Sequence, residues 1–329
     1  MTTTPSSGQV GRLTRMISAN SVLVALVLLI LFGSVRYPNF LGAFNVLTVL
    51  RYNAMFALVS LGMTFVIMSG GIDLSVGAAA ALGSVVSALL SSSGLWAGLA
   101  GGMAAGGAMG LLNAVAITSL RIPPFISSLA TMLVAQGAAL LLANNQSVSV
   151  SYDTEFTVLG QGDALGFPIP AWIALAAFAA GSLVLNLTGS GRYVLTIGGN
   201  EDAARLMGLP VGRIKFSLYV VSGLLAGLAG VILAAQFGAG QPTEGQGWEL
   251  FAIASVVVGG TLLSGGQGSV LATLAGVLLL GLIFNILNFE NGRGWISLSA
   301  YWQSVIRGLF LMMVVIFQAR LVMRERARR

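Results

Sequence analysis

The chain has 329 residues, of which 56% are hydrophobic and 8% are charged, with a formal net charge of +6. Soluble domains carry about 25% charged residues, so this composition excludes an ordinary soluble protein and indicates a polytopic membrane protein. Cysteine and histidine are both absent. Disulfides and histidine-based catalysis are therefore excluded, and no metal site of the zinc-cluster type is expected.

Ten apolar segments are long enough for membrane helices, which need about 20 residues to cross the hydrocarbon layer. Their approximate bounds are 17–35, 45–69, 74–92, 95–117, 124–143, 169–187, 214–235, 248–264, 269–289 and 300–319. Loop arginines such as Arg12, Arg121 and Arg192 fall on one side of this topology, whereas Arg36 and Arg293 fall on the other. This asymmetry predicts an all-α fold of ten helices with both termini in the cytoplasm, and it explains the positive charge without nucleic-acid binding.

The regions outside these spans complete the predicted organisation. Residues 1–16 are polar and predict a disordered cytoplasmic tail, residues 17–320 form the membrane domain, and residues 321–329 form a basic cytoplasmic tail. The longest loop on the periplasmic side, 144–168, predicts a small cap or a docking surface for an external partner. It carries three acidic residues and no basic one: Asp153, Glu155 and Asp163.

Asp73 is the only carboxylate in the first 150 residues and lies within an apolar region. An ionisable group at bilayer depth costs about 3 kcal/mol, so it usually faces a cavity or the bundle interior. Two adjacent glycines before it predict a broken helix near 69–77, a device common in transporters. Two roles stay open for Asp73, lining a translocation pathway or capping the helix that follows. The candidate pathway residues of this segment are Ser69, Gly70, Gly71, Asp73 and Ser75.

A second glycine-interrupted segment resembles the first. The run from Met68 to Val76 is similar to the run from Leu263 to Val270 with one gap, which predicts a second broken helix near 263–270. Chance recurrence is the alternative, since the chain has 44 glycines. The repeat adds three candidate pathway residues: Ser264, Gly265 and Gly266.

Leu263–Gln267 also spells the signature motif of ABC ATPases, and this match is misleading. Nucleotide binding needs a phosphate-binding loop that ends in Gly-Lys-Ser or Gly-Lys-Thr. The single lysine of the chain, Lys215, follows Val-Gly-Arg-Ile. The motif therefore indicates no ATP site in this chain.

Residues 189–214 form the only long charged connection on the predicted cytoplasmic side. Asn200 is a favourable N-cap for a short helix that Gly208 and Pro210 would end. Such a helix is too short to be stable alone, so it predicts docking against a partner protein, with a merely solvated loop as the alternative. The residues of the predicted docking helix are Gly199, Asn200, Glu201, Asp202, Ala203, Ala204, Arg205, Leu206 and Gly208.

Two further positions are candidates with weaker support. Glu249, beside Trp248 at the predicted outer start of a span, is a candidate for lining an outer vestibule, although an interfacial anchor explains it equally well. Arg307, in the last span, is a candidate ion-pair partner for Asp73 or Glu249. The glycine-rich run Gly101–Gly107 instead predicts close helix packing.

Three motifs in this order resemble the permeases of bacterial ABC sugar importers of the ribose type. They are the runs Gly62–Gly77, Gly198–Arg205 and Ala252–Gly266, and the resemblance extends from about residue 20 to 320. Within that family, the chain looks most like a permease of the galactofuranose-importer kind. The resemblance implies a multi-pass protein of the bacterial inner membrane, embedded in the lipid bilayer.

The resemblance also implies partners. It implies a second permease, identical or related, a cytoplasmic ATPase with two nucleotide-binding modules, and a periplasmic sugar-binding protein. Residues 200–205 would match the coupling helix that docks into the ATPase, and residues 69–77 would lie beside the translocation path. This chain would then be no enzyme and would hold no cofactor, because the partner subunit binds ATP.

Two other classes of function fit the residues less well. An ion-coupled secondary transporter of a small neutral solute would need a relay of Asp, Glu or His side chains, whereas Asp73 is nearly alone. A membrane-embedded enzyme would need a base beside its nucleophile, and no such base is evident. The scarcity of ionisable groups in the spans favours a neutral solute.

Overall fold

The computed structural model describes residues 21–291 and eight further helical residues between 302 and 316. In chain order the helices are α1 Ser21–Arg36, α2 Ala43–Met68, α3 Val76–Leu90, α4 Leu95–Thr118, α5 Pro124–Leu142, α6 Val158–Gln161, α7 Ile169–Leu187, α8 Gly189–Gly199, α9 Glu201–Leu206, α10 Val211–Phe237, α11 Trp248–Val258 and α12 Val270–Asn291. Short strands and 3-10 turns complete the described part: β1 Val148–Ser149, β2 Asp163–Ala164, β3 Phe167–Pro168, β4 Ala239–Gly240, Ser91–Ser93 and Glu155–Thr157.

Seven helices in the described part are long and apolar enough to cross a membrane, namely α2, α3 with its following turn, α4, α5, α7, α10 and α12. The helices α1 and α11 are apolar but shorter. The predicted all-α polytopic fold is therefore confirmed. The count of ten helices and the cytoplasmic location of both termini stay predictions. The predicted tails at 1–16 and 321–329, and Arg307, lie outside the described residues.

Helix ends follow local chemistry that the sequence displays. Pro124 is the first residue of α5, where its missing N–H has no helical partner to lose. Gly238 ends α10 in the left-handed conformation, with φ of 70°. The predicted span 248–264 is too long, because α11 ends at Val258 and Gly260 adopts φ of 87°. The second helix break is therefore longer than the predicted 263–270.

Glycine contacts hold the centre of the bundle together, where α10 packs against α4, α3 and α2. A Cβ atom at Gly106 of α4 would lie 2.6 Å from Gly227 Cα of α10. Gly102 and Gly110 meet equally close neighbours along the same helix. Small residues let the two backbones approach, which confirms close packing for the Gly101–Gly107 run.

The loop 144–168 forms a small cap over one end of the bundle. Val148 pairs with Gly240 in an antiparallel register, and Phe156 is fully buried among residues of α3 and α10. The Ser91 hydroxyl at the end of α3 accepts a hydrogen bond from Ser151 N–H at 2.8 Å. A cap is thus one role of this loop, and we call this end of the molecule the capped end.

The α4–α10 contact generates a prediction on stability. Gly106→Ala places a methyl group against the α10 backbone, and we expect the free energy of unfolding to fall by about 1–3 kcal/mol. Gly137→Ala in α5 is the matched control, because nothing lies within 4 Å of its Cβ position. Thermal unfolding of both variants in detergent measures the effect. Equal melting temperatures for the two would contradict the tight contact.

Candidate functional site

Asp73 lies in the loop between α2 and α3 and is almost completely buried. Its Oδ1 accepts hydrogen bonds from the backbone N–H of Ser75 at 3.0 Å and from the Ser75 hydroxyl at 2.6 Å. Ser75 immediately precedes α3, so the carboxylate holds the start of that helix. The carboxylate therefore closes a turn before the helix and does not accept from an N–H of α3 itself, so the choice between a capping role and a pathway role stays open.

The same carboxylate connects three helices. Asn113 of α4 donates to Asp73 Oδ1 at 3.3 Å, and Ser222 of α10 donates to Oδ2 at 3.0 Å. Ser127 of α5 extends the network by donating to the Asn113 side-chain oxygen at 3.1 Å. Among the described residues, no lysine or arginine forms an ion pair with Asp73. Neutral hydrogen-bond donors therefore satisfy a carboxylate buried in the bundle.

Glycine residues from three separate segments meet beside this network, and we call this contact the glycine junction. It consists of the backbone at Met68–Gly71, at Gly198–Gly199 and at Gly265–Gly266. A Cβ atom at Gly198 would fall on the Met68 carbonyl oxygen, and one at Gly265 would lie 2.8 Å from Gly70 N. The Gly266 N–H donates to the Met68 carbonyl at 3.0 Å. The two Ser-Gly-Gly runs are thus in direct contact.

The two runs of the predicted internal repeat occupy corresponding positions in the fold, each before a helix. Val76 and Val270, which correspond in the two runs, are the first residues of α3 and α12. Gly70, Gly265 and Gly266 all have φ near 80°, a conformation that glycine adopts without strain. Three of the eight candidate pathway residues of the two runs, Gly70, Gly265 and Gly266, therefore lie together, against the segment that leads into α9.

The docking helix predicted from the sequence is present as α9. Asn200 Oδ1 accepts a hydrogen bond from Ala203 N–H at 2.9 Å, which is the predicted N-cap. Gly208 follows the helix with φ of 77°. Ala204 is buried against Ile197 and Val211. The segment is therefore an ordered helix that packs on its neighbours and not merely a solvated loop.

Glu201 anchors α9 to the start of α10. Its carboxylate binds Arg205 at 2.6 Å and also Lys215. Partial burial raises the pKa of Glu201, but hydrogen bonds from Lys215 and Arg205, together with their positive charges, outweigh this effect. The net pKa lies below its ordinary value, so the ionised form is favoured.

The helix α8 before it was not predicted from the sequence. Thr188 Oγ1 accepts a hydrogen bond from Gly191 N–H at 3.3 Å and caps its start. Val194 and Ile197 are buried on one face. The glycines at both ends conceal this helix, although Thr188 as a cap and the spacing of the apolar side chains are signals that could have identified it.

The C-terminal end of α9 exposes two apolar side chains next to the charged residues Asp202 and Arg205. Leu206 is 91% exposed and Met207 is 63% exposed. Both follow Ala204, the buried residue of α9. Leu206 and Met207 thus form a small apolar surface at the end of this helix.

The sequence predicted Glu249 at the outer start of a span, which would place it at the capped end. In the structure it lies elsewhere. Its Oε2 is 2.9 Å from the position that a Cβ atom of Gly77 would occupy, at the beginning of α3. Gly77 precedes Ser91 by 14 residues, or about 21 Å of helix. The turns of residues 241–247, which the sequence did not reveal, carry the chain along α3 before α11 begins.

The chain is similar to known proteins over most of its length. Residues 45–315 match the family model described as "Branched-chain amino acid transport system / permease component". The ribose import permease protein RbsC of Escherichia coli (strain K12) is 38% identical over 89% of this chain and 91% of its own. No solved structure is significantly similar to the chain.

Two further relatives are similar over the same share of the chain, and one of them is named for a second sugar. RbsC of Bacillus subtilis (strain 168) is 39% identical over 90% of this chain and 91% of its own. The L-arabinose transport system permease protein AraH of Escherichia coli (strain K12) is 37% identical over 90% of this chain and 89% of its own. The family model therefore covers the chain from the first turn of α2 to beyond α12.

The Asp73 network generates a second prediction. Asp73→Asn introduces an amide donor where Asn113 and Ser222 already donate, so we expect a loss of about 1–3 kcal/mol in stability. The yield of monodisperse protein and its melting temperature in detergent measure the loss. Asp153→Asn, in the exposed cap, is the control and should behave like the original chain. An unaltered yield and melting temperature for Asp73→Asn would show that the carboxylate is dispensable.

The glycine junction generates a third prediction, with a control at the next residue. Gly198→Ala drives a methyl group onto the Met68 carbonyl and should lower stability by about 1–3 kcal/mol. Gly199→Ala meets nothing within 4 Å and should be close to neutral. Thermal unfolding of the two variants in lipid nanodiscs compares them directly. The junction is refuted if the two substitutions have the same effect.

Proposed function

Because the chain belongs to the importer-permease family that includes the ribose and arabinose permeases, we propose that it forms half of an ATP-driven channel for a neutral sugar. As a member of this family with seven membrane-capable helices in its described part, it is a multi-pass inner-membrane protein. The observation that carries the proposal is the similarity to sugar permeases over about nine tenths of the chain.

The proposed complex has four kinds of component. A second permease, identical or related, completes the channel, and a periplasmic binding protein delivers the sugar at the capped end. A cytoplasmic ATPase with two nucleotide-binding modules binds and hydrolyses ATP, so this chain itself performs no catalysis. The transported sugar is a pentose or a hexose, with ribose and arabinose suggested by the relatives and galactofuranose by the motif resemblance.

The helix α9 is the proposed contact with the ATPase. Its exposed tip at Leu206 and Met207 offers an apolar surface, while the Glu201–Lys215 ion pair fixes the helix to α10. A helix that is held firmly on one side and exposed on the other is suited to receiving a push from a partner. Closure of the ATPase on ATP would then displace α9.

The glycine junction is the proposed route by which this displacement reaches the bundle. Gly198 and Gly199 immediately precede α9, and they contact both Ser-Gly-Gly runs through backbone atoms alone. Densely packed backbones without intervening side chains move together and do not absorb a displacement. A push on α9 would therefore shift the starts of α3 and α12 and bias the bundle between its two access states.

A pair of leucine substitutions tests the ATPase contact. Leu206 and Leu165 are each 91% exposed, but Leu206 is at the tip of α9 and Leu165 is in the cap. We expect Leu206→Asp to abolish co-purification of the ATPase and sugar uptake, because it places a charge in the proposed interface. Leu165→Asp should retain the ATPase. The measurement is affinity purification from native membranes in mild detergent, with mass spectrometry of the proteins that accompany the tagged chain.

The outcome for the unmodified chain decides the function. Co-purification of an ATPase with two nucleotide-binding modules supports the importer, and an equal amount of a second permease identifies a heterodimer. Recovery of the chain alone, under conditions that preserve a known ABC complex, overturns the proposal in favour of an ion-coupled transporter. Loss of the ATPase in both leucine variants would overturn the assignment of α9.

A further inference from the structure

A cavity of about 210 Å³ lies between α3, α5 and the residues that precede α11. One wall consists of residues 241–249, which we call the polar segment. It contributes Glu244, Gln246 and Glu249, while Gln136 of α5 faces them and Ala78 and Ala81 of α3 line the cavity between them. Met132 and Pro242 complete the lining, so polar side chains lie on two sides of a cavity that is otherwise apolar.

The cavity is at membrane depth and not at either end of the bundle. The Gln241 N–H donates to the Ser84 hydroxyl at 3.1 Å, and the Gly245 carbonyl lies against Gly77. Ser84 and Gly77 are both inside the membrane-capable helix that starts at Val76. On the opposite wall, Gln136 is in the middle of α5.

Lipid cannot cover the polar segment. Residues 241–247 are not helical, and Glu244 and Gln246 are exposed on this chain. Irregular backbone and carboxylates are tolerated at membrane depth only where they are buried in protein or line a water-filled space. The open side of the cavity therefore faces water or a second protein. A solute pathway needs the side that faces water.

The other candidate surfaces suit a sugar less well. Ser69, Asp73 and Ser75 are almost completely buried, and hydrogen bonds within the chain engage them. A larger groove of about 260 Å³ between α2, α7 and α12 has aliphatic and aromatic walls, with Asn53 as its single polar residue. A polyhydroxylated solute would lose its water hydrogen bonds there without replacement.

We propose that the polar segment and Gln136 form the solute-contacting wall of the pathway, and that this wall selects a neutral polyhydroxylated solute against an anionic one. Glutamine side chains both donate and accept hydrogen bonds, and glutamate carboxylates accept two hydroxyl donors at once. Two carboxylates and no lysine or arginine line the cavity, so a sugar phosphate or a sugar acid is repelled.

The size of the cavity agrees with a single sugar ring. A cavity of about 210 Å³ that is open on one side has room for a small solute. The identity of the solute rests on the proposed function. The polar, water-accessible wall itself is a property of this chain and can be tested separately.

Thiol labelling provides this test, because the chain has no cysteine of its own. The variants are Gln246→Cys and Gln136→Cys in the wall, with Val134→Cys as the control. Val134 is also on α5 and is 55% exposed, but it points away from Gln136. The full complex in opened membrane vesicles is treated with a cationic and with an anionic methanethiosulfonate reagent, and modification of this chain is followed by mass spectrometry.

We expect both wall thiols to react and the Val134→Cys thiol to remain unmodified. At Gln246→Cys the cationic reagent should react about tenfold faster than the anionic one, because the two carboxylates concentrate cations. Adding Glu244→Gln and Glu249→Gln should bring this ratio close to one. D-ribose or L-arabinose should slow the reaction at both wall positions when it is a transported solute.

Several results would overturn the inference. Wall thiols that react no faster than the Val134→Cys thiol would show that the segment is not water-accessible. Equal reaction rates for the cationic and the anionic reagent would contradict the proposed selection against anionic solutes. Measured uptake of a sugar that protects neither wall thiol would place the solute elsewhere. If the labelling pattern is as expected but no ATPase co-purifies with the chain, the solute-contacting wall is supported and the ABC importer function is overturned.

Discussion

The contact on which the rest of the structure depends is the meeting of three backbones at the glycine junction. No side chain fits at Gly198, since a Cβ atom there would occupy the space of the Met68 carbonyl oxygen. This contact places the end of α2, the segment before α9 and the loop before α12 in one fixed arrangement. The buried Asp73 network begins two residues after Gly71 and secures the start of α3 against α4 and α10.

The junction also relates the two proposed sites of the protein. Gly70 contacts the segment that leads into α9, and Gly77, seven residues later, contacts Gly245 of the polar segment. One short, well-packed loop thus connects α9 with the wall of the cavity. Under the proposed function, a displacement of α9 would reach the cavity through few intermediate contacts.

Sequence patterns predicted the elements in which local chemistry and hydrophobicity agree. The bounds of α4, α5 and α7 follow from apolar runs that end at glycine, proline or charged residues. The cap of α9 at Asn200 follows from the chemistry of one side chain. The patterns failed at α8 and at residues 241–247. There, the glycine residues are compatible with either a helix or a series of turns, and the neighbouring helices decide between them.

The sequence by itself determined that this chain is a membrane permease, because its composition, loop charges and three motifs are properties of the linear order. Only the tertiary structure decided what the motifs do. Contact between Gly198, Gly70 and Gly265 depends on helices that are far apart in the chain. The depth of Glu249 depends on the turns of residues 241–247, which follow α10 in the chain and lie beside α3. Neither is visible in a local pattern, because both arise from packing of distant backbones at glycine positions.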